Sequence, residues 1–134
     1  MLESEINKIK NLLANDDRII FAYLFGSRAK GIAGGRSDWD ISIYAADKGR
    51  QTIPATFPFY IEAEIAALLA TNDVQVVVLN GLESPLLGFE IIKDGILLVD
   101  KDEEKRIEFE ARVLGQYHDW QYFLKRHMEA EGWA

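Results

Sequence analysis

Cysteine is absent from this chain of 134 residues, proline occurs only three times, and cations are fewer than anions. Without cysteine, neither a disulfide framework nor a thiolate metal site is available. No apolar run reaches the roughly 18 residues that a membrane-spanning helix needs. Residues 1–5 also lack the basic region and apolar core of a signal peptide. These absences predict a cytoplasmic protein that does not enter a membrane.

The charge balance limits the class of partner. Asp and Glu outnumber Lys and Arg by 22 to 15, which gives a formal net charge of −7. Binding to a nucleic-acid backbone requires clustered cations, so nonspecific nucleic-acid binding is not expected. Binding of one nucleotide through a metal remains compatible with this balance. The local basic cluster Arg28, Lys30 and Arg36 is either an ordinary solvated loop or a set of cations beside an anionic phosphate.

Hydrophobic periodicity and turn residues predict four helices and four strands. The predicted helices cover residues 3–15, 58–70, 85–95 and 102–131, and the predicted strands cover 18–25, 38–44, 73–79 and 96–99. Size and an apolar content of 49% indicate one globular domain over 1–134. The fold class is α+β (mixed α/β), a small mixed sheet of about four strands flanked by helices.

Two strand arrangements follow from the same pattern. The first two strands are joined by only about a dozen residues, which is short for a βαβ crossover and permits an antiparallel pair. The run 73–79 is nearly all β-branched, which predicts a central strand.

The long C-terminal helix carries an apolar stripe at intervals of three or four residues: Phe109, Val113, Tyr117, Trp120, Leu124 and Met128. One interpretation packs the whole stripe on the domain. The other lets the far end, with Trp120, Tyr122, Phe123 and Trp133, meet another protein, because Tyr and Trp are enriched in interfaces. His118 and His127 are nine residues apart, which is not a spacing for paired metal ligands.

The chemistry of the sequence is concentrated between residues 26 and 40. A buried strand leads to Gly26-Ser27, ten residues follow, and Asp38-Trp39-Asp40 then opens the next strand. Residues two apart in a strand share a face, so both carboxylates can hold a divalent metal. Glycine lets the backbone approach a phosphate, serine adds a hydroxyl donor, and a helical turn over 28–31 adds N–H groups. The stretch therefore predicts a metal–nucleoside triphosphate site.

This framework resembles the signature of the DNA polymerase beta-type nucleotidyltransferase superfamily. Together with the runs 74–80 and 84–90, it is similar to the minimal nucleotidyltransferase branch, the antitoxin partners of HEPN-domain toxins, over most of residues 5–100. The resemblance implies Mg²⁺ and, as substrate, ATP. A two-metal site is compatible with the same pair of carboxylates. It also implies transfer of AMP to a tyrosine of the paired HEPN-type toxin.

The resemblance also assigns roles to individual residues. Gly26 and Ser27 would contact the triphosphate, and Asp38 and Asp40 would bind metal as the catalytic carboxylates. The positive charges of Arg28 and Lys30 in the same stretch predict that these two residues also bind the nucleotide phosphates.

One position departs from the family pattern. The third family carboxylate falls on Gln75, which is neither a base nor a good magnesium ligand. Asp73, two residues earlier, is either its substitute or a residue that caps the strand start.

Three functions are therefore compatible with the sequence. The first is a Mg²⁺-dependent nucleotidyltransferase that acts on a partner protein. The second is a catalytically impaired module that neutralises a toxin by occupancy. The third, weaker, is an enzyme with a free small-molecule or nucleic-acid acceptor. The oligomeric state is left open, and an oligomer is compatible with the sequence.

Overall fold

A computed structural model describes residues 2–31, 38–46 and 53–132 of the chain. It contains the helices α1 (Leu2–Ala14), α2 (Phe57–Leu69), α3 (Pro85–Asp94) and α4 (Glu103–Ala130), and the strands β1 (Ile19–Phe25), β2 (Trp39–Ala45), β3 (Val74–Val78) and β4 (Ile96–Asp100). Each predicted element is present, with both ends within one residue of the prediction. The predicted cation Arg36 and the aromatic Trp133 lie outside the described residues.

Local signals explain why two of the helices begin where they do. The Ser84 side chain accepts a hydrogen bond from the Leu87 N–H, and Pro85 occupies the first turn of α3. Asp102 caps α4 in the same way, by accepting a hydrogen bond from the Lys105 N–H. In both helices a short polar side chain at the start satisfies one of the free backbone N–H groups of the first turn.

The four strands form one mixed sheet with the order β3-β2-β1-β4. β1 pairs antiparallel with β2 and β4, whereas β2 and β3 are parallel. The predicted α+β class, with a mixed sheet flanked by helices and a long C-terminal helix, is confirmed. The prediction of one domain over 1–134 stays a prediction.

The prediction that the β-branched strand is central is wrong, because β3 lies at the edge of the sheet. Its valines Val74, Val76 and Val78 pack on the core cluster that α2 helps to form, so one buried face is enough to explain the composition. The free edge is partly satisfied by a side chain, since Glu62 of α2 accepts a hydrogen bond of 2.9 Å from the Val76 N–H.

Each face of the sheet has its own core. The face covered by α1 and α2 contains Trp39, Ile41 and Ile43 of β2, all almost completely buried. The opposite face is covered by α3 and α4. Phe21 is stacked on Tyr44 there, with ring centroids 4.7 Å apart. Since side chains alternate along β2, Asp40 belongs to this second face.

A polar network attaches the first half of α4 to the sheet. The Tyr23 hydroxyl donates a hydrogen bond of 2.5 Å to Glu110, and Arg106 bridges Glu110 at 3.0 Å and Asp100 at 2.8 Å. Burial, followed by the hydrogen bond to Glu110, raises the pKa of Tyr23. The hydroxyl therefore stays a donor, and the network fixes where α4 crosses the sheet.

The apolar stripe of α4 packs on the domain only in its first half. Phe109 and Val113 are buried, and the ring of Tyr117 stacks on Phe89 with centroids 3.9 Å apart. Residues 121–130 are all exposed, among them Tyr122 at 64% and Phe123 at 55%. The packed-stripe interpretation is therefore correct as far as Tyr117. Contact of the far end with another protein stays a prediction.

None of the helices in the described part of the chain combines the length and apolarity that a membrane crossing requires.

Candidate functional site

β1 ends in a turn that contacts β2 directly. Gly26 has a φ of 76°, a conformation that favours glycine. Phe25 pairs with Asp40, so the Asp40 carboxylate lies against Gly26. A Cβ built on Gly26 would overlap Asp40 Oδ2 and lie 3.2 Å from Asp40 Cγ. Glycine is thus required here for two reasons, the backbone conformation and the space taken by the carboxylate.

The residues after Gly26 form one hydrogen-bonded turn. The Lys30 N–H donates to the Gly26 carbonyl at 3.3 Å, and the Gly31 N–H donates to the Arg28 carbonyl at 3.3 Å. Gly31 closes the turn with a φ of 73°. The predicted turn over 28–31 is present and follows Gly26-Ser27 directly.

The two predicted metal ligands lie at the start of β2. Asp38 is exposed, and Asp40 is partly buried. Burial raises the pKa of Asp40, and the negative charge of Asp38 raises it further. The two carboxylates are therefore close enough to repel each other, and a bound cation would relieve that repulsion. Carboxylate oxygens are the ligands that hard divalent cations prefer, so this pair fits the predicted Mg²⁺.

Gln75 lies directly beside this pair. It is in register with Asp40 in the parallel ladder between β2 and β3, and residues in register share a face of the sheet. The amide side chain is exposed. The structure thus brings Asp40 and Gln75 together on the face that α3 and α4 partly cover.

Asp73 precedes β3, and its main chain is already engaged. Its carbonyl accepts a hydrogen bond of 2.7 Å from the Trp39 N–H, and its own N–H donates to Thr71 Oγ1 at 3.1 Å. The side chain is exposed and lies about 6–7 Å along the strand from Gln75. Among the described residues, no three Asp, Glu or His side chains form a metal-binding group. The exposed His118 and His127 of α4 belong to no such group.

The two described cations of the turn diverge. Lys30 Nζ lies 3.8 Å from Asp94 Oδ2 at the end of α3. The Arg28 guanidinium carbon lies 4.2 Å from the centroid of the Trp39 ring. Trp39 and Asp94 are not among the predicted site residues. For Trp39 a signal was available, because it separates the two carboxylates in the sequence.

A protein-family model matches most of the chain. Residues 7–104 match the family described as "Polymerase beta, Nucleotidyltransferase". The chain belongs to this nucleotidyltransferase family. The match includes the turn over residues 26–31, called the Gly26 turn below, and the carboxylates Asp38 and Asp40 at the start of β2. It also includes the whole of β3. No curated protein sequence matches the chain.

The fold of this chain is also similar to that of chains in solved toxin–antitoxin complexes. A chain of a toxin–antitoxin complex with AMP-PNP has a TM-score of 0.74 and 26% identity, covering 93% of this nucleotidyltransferase and 96% of that chain. A complex of a tri-AMPylated Shewanella oneidensis HEPN toxin with its MNT antitoxin gives a TM-score of 0.72 at 24% identity, covering 97% and 98%. The toxin–antitoxin complex MntA-HepT gives 0.70 at 24% identity, covering 96% and 97%. The predicted resemblance to the minimal nucleotidyltransferase antitoxins is confirmed at the level of the fold.

Proposed function

We propose that this nucleotidyltransferase moves AMP from ATP onto a hydroxyl of a HEPN-type toxin and thereby silences it. The observation that carries the proposal is the contact between the Gly26 turn and the Asp40 carboxylate. It places a predicted phosphate-binding turn against a predicted metal-binding pair. The structure with AMP-PNP and the AMPylated toxin of the similar complexes support a nucleotide and a protein acceptor.

The proposed reaction is a nucleotidyl transfer. The hydroxyl oxygen of the acceptor forms a bond to the α-phosphorus of ATP, the bond from that phosphorus to the pyrophosphate breaks, and the hydroxyl proton passes to water. Asp38 and Asp40 would hold Mg²⁺, which when bound neutralises charge on the phosphates. Gly26 admits the phosphate close to the backbone, the Ser27 hydroxyl donates to it, and Lys30 adds a positive charge.

A second candidate function rests on Gln75. Gln75 is in register with Asp40, and its amide side chain cannot accept the proton of the attacking hydroxyl. Loss of a general base costs about 10²- to 10⁴-fold in rate. A chain that keeps the nucleotide site but turns over slowly would neutralise a toxin by occupying it, without modifying it. Asp73 would have to move along the strand to replace the missing carboxylate.

Labelled ATP separates the two functions. The protein is incubated with its partner toxin, Mg²⁺ and α-labelled ATP, and label on the toxin is measured. The enzyme proposal expects label that is lost in the Asp38→Asn/Asp40→Asn variant. Absence of label on a toxin that still binds this protein contradicts the enzyme. In cells, a pure binder protects equally well with and without the two substitutions, whereas an enzyme does not.

A further inference from the structure

The cations of the Gly26 turn point to different faces of the sheet. Lys30 reaches Asp94 of α3, which covers the face that also carries Asp40. Arg28 instead covers the ring of Trp39, which belongs to the opposite face together with Ile41. Arg28 and the Asp40 carboxylate therefore contact opposite faces of β2.

A second residue of the turn, Ala29, lies on the same face of the sheet as the Arg28 guanidinium. Ala29 is partly buried against the core cluster that includes Trp39. The turn therefore straddles the start of β2, with Gly26 against Asp40 on one face and Arg28 and Ala29 against Trp39 on the other.

The physical properties of the pair suit a fixed contact. Trp39 is only 2% exposed, so its ring is held by the core and offers a rigid surface. A planar guanidinium stacks on an indole face, which an ammonium group does less well. Trp39 also separates Asp38 from Asp40 in the sequence, so whatever is fixed to its ring is fixed relative to both carboxylates.

We infer that Arg28 is a positioning residue whose stack on Trp39 holds the phosphate-binding turn in register with the two carboxylates. This inference rests on the proposed function, because it assigns the turn to a nucleotide. It gives Lys30 the direct electrostatic role and Arg28 an indirect one. The alternative is that Arg28 itself contacts the phosphates.

Two substitutions at position 28 separate these roles. Arg28→Lys keeps the charge and loses the planar stack, whereas Arg28→Phe keeps a planar ring over Trp39 and loses the charge. The affinity for Mg²⁺–AMP-PNP is measured by calorimetry well below the melting temperature, and thermal unfolding is recorded alongside. If Arg28 is a positioning residue, we expect Arg28→Lys to weaken binding by about 2- to 30-fold, which corresponds to the energy range of a cation–π contact. We expect Arg28→Phe to weaken binding less. Equal losses or the reverse order would overturn the inference.

A double-mutant cycle provides an independent measurement. If Arg28 acts through Trp39, Arg28→Ala weakens AMP-PNP binding by less than twofold once Trp39→Leu is present. If Arg28→Ala weakens AMP-PNP binding as much in the Trp39→Leu protein as in the wild type, Arg28 binds the phosphates directly and the inference is overturned. So does a lowered melting temperature with unchanged affinity, which is the mark of a purely structural contact. A wild-type protein that binds no nucleotide contradicts the proposed function itself, which is a different result.

Discussion

Gln75 lies beside Asp40, in register on the neighbouring parallel strand. The pair places an amide at the position where the family resemblance implies a third carboxylate. Replacing Gln75 by Asp would put a base next to the predicted metal-binding pair, Asp38 and Asp40. We expect AMP transfer to the toxin to rise by about 10²- to 10⁴-fold, the range that a general base contributes.

The matched control for this change is Gln75→Asn, which has the shape of the Asp variant and no charge. Single-turnover transfer of labelled AMP measures both variants against the wild type. A rate for Gln75→Asp that does not exceed that of Gln75→Asn would show that position 75 does not take part in proton transfer.

Gly26 can be compared with Gly31, since both have φ values above 70° within the same turn. Gly26→Ala adds a methyl group where the Asp40 carboxylate lies, whereas no described atom lies within 4 Å of a Cβ on Gly31. Both variants carry the backbone strain of about 1–2 kcal/mol. We expect only Gly26→Ala to weaken Mg²⁺–AMP-PNP binding strongly, and calorimetry on both proteins checks it. Similar affinities of the two variants for Mg²⁺–AMP-PNP would mean that the contact between Gly26 and Asp40 does not contribute to nucleotide binding.

The raised pKa of Asp40 has a consequence for stability. Since the folded state holds this proton more tightly than the unfolded chain, ionisation of Asp40 lowers the stability as pH rises through the folded-state pKa. We therefore expect Asp40→Asn to melt at a higher temperature than the wild type at pH 7 in the absence of divalent cations. The difference should shrink as pH falls toward 3.8, the ordinary value for an aspartate.

Asp119→Asn, on the exposed part of α4, serves as the control, and its melting temperature should follow that of the wild type at every pH. A gain for Asp40→Asn that persists unchanged at pH 3 would exclude ionisation as its cause.

The packing of α3 on α4 depends on Gly88. A Cβ at this position would lie 2.8 Å from Val113 Cγ1. We expect Gly88→Ala to lower the free energy of unfolding by about 1–3 kcal/mol, the usual cost of overpacking. Adding Val113→Ala should recover part of that loss by making room. Chemical denaturation measures all three proteins.

Gly115 of α4 is the matched glycine, because no described atom lies near a Cβ built there. Gly115→Ala should raise the free energy of unfolding by about 0.5–1 kcal/mol through helix propensity. A loss for Gly115→Ala as large as that for Gly88→Ala would contradict the specific contact with Val113.

The sequence by itself determined the elements and the residues of the candidate site. Periodicity and turn residues located every helix and strand of the described chain, because these signals act between neighbours a few residues apart. The Gly26-Ser27 turn and the Asp38-Trp39-Asp40 strand start were recognisable for the same reason. The assignment of Gln75 to the third carboxylate position came from the family resemblance and stays a prediction.

Only the tertiary structure decided how those pieces meet. It placed β3 at an edge of the sheet, which its β-branched composition had not predicted, because burial on one face leaves the same composition as burial on two. It sent Arg28 and Lys30 to opposite faces, although they are two residues apart. It also showed that α4 packs on the domain as far as Tyr117 and is fully exposed over residues 121–130. These outcomes depend on contacts between residues far apart in the chain, and local spacing carries no information about such contacts.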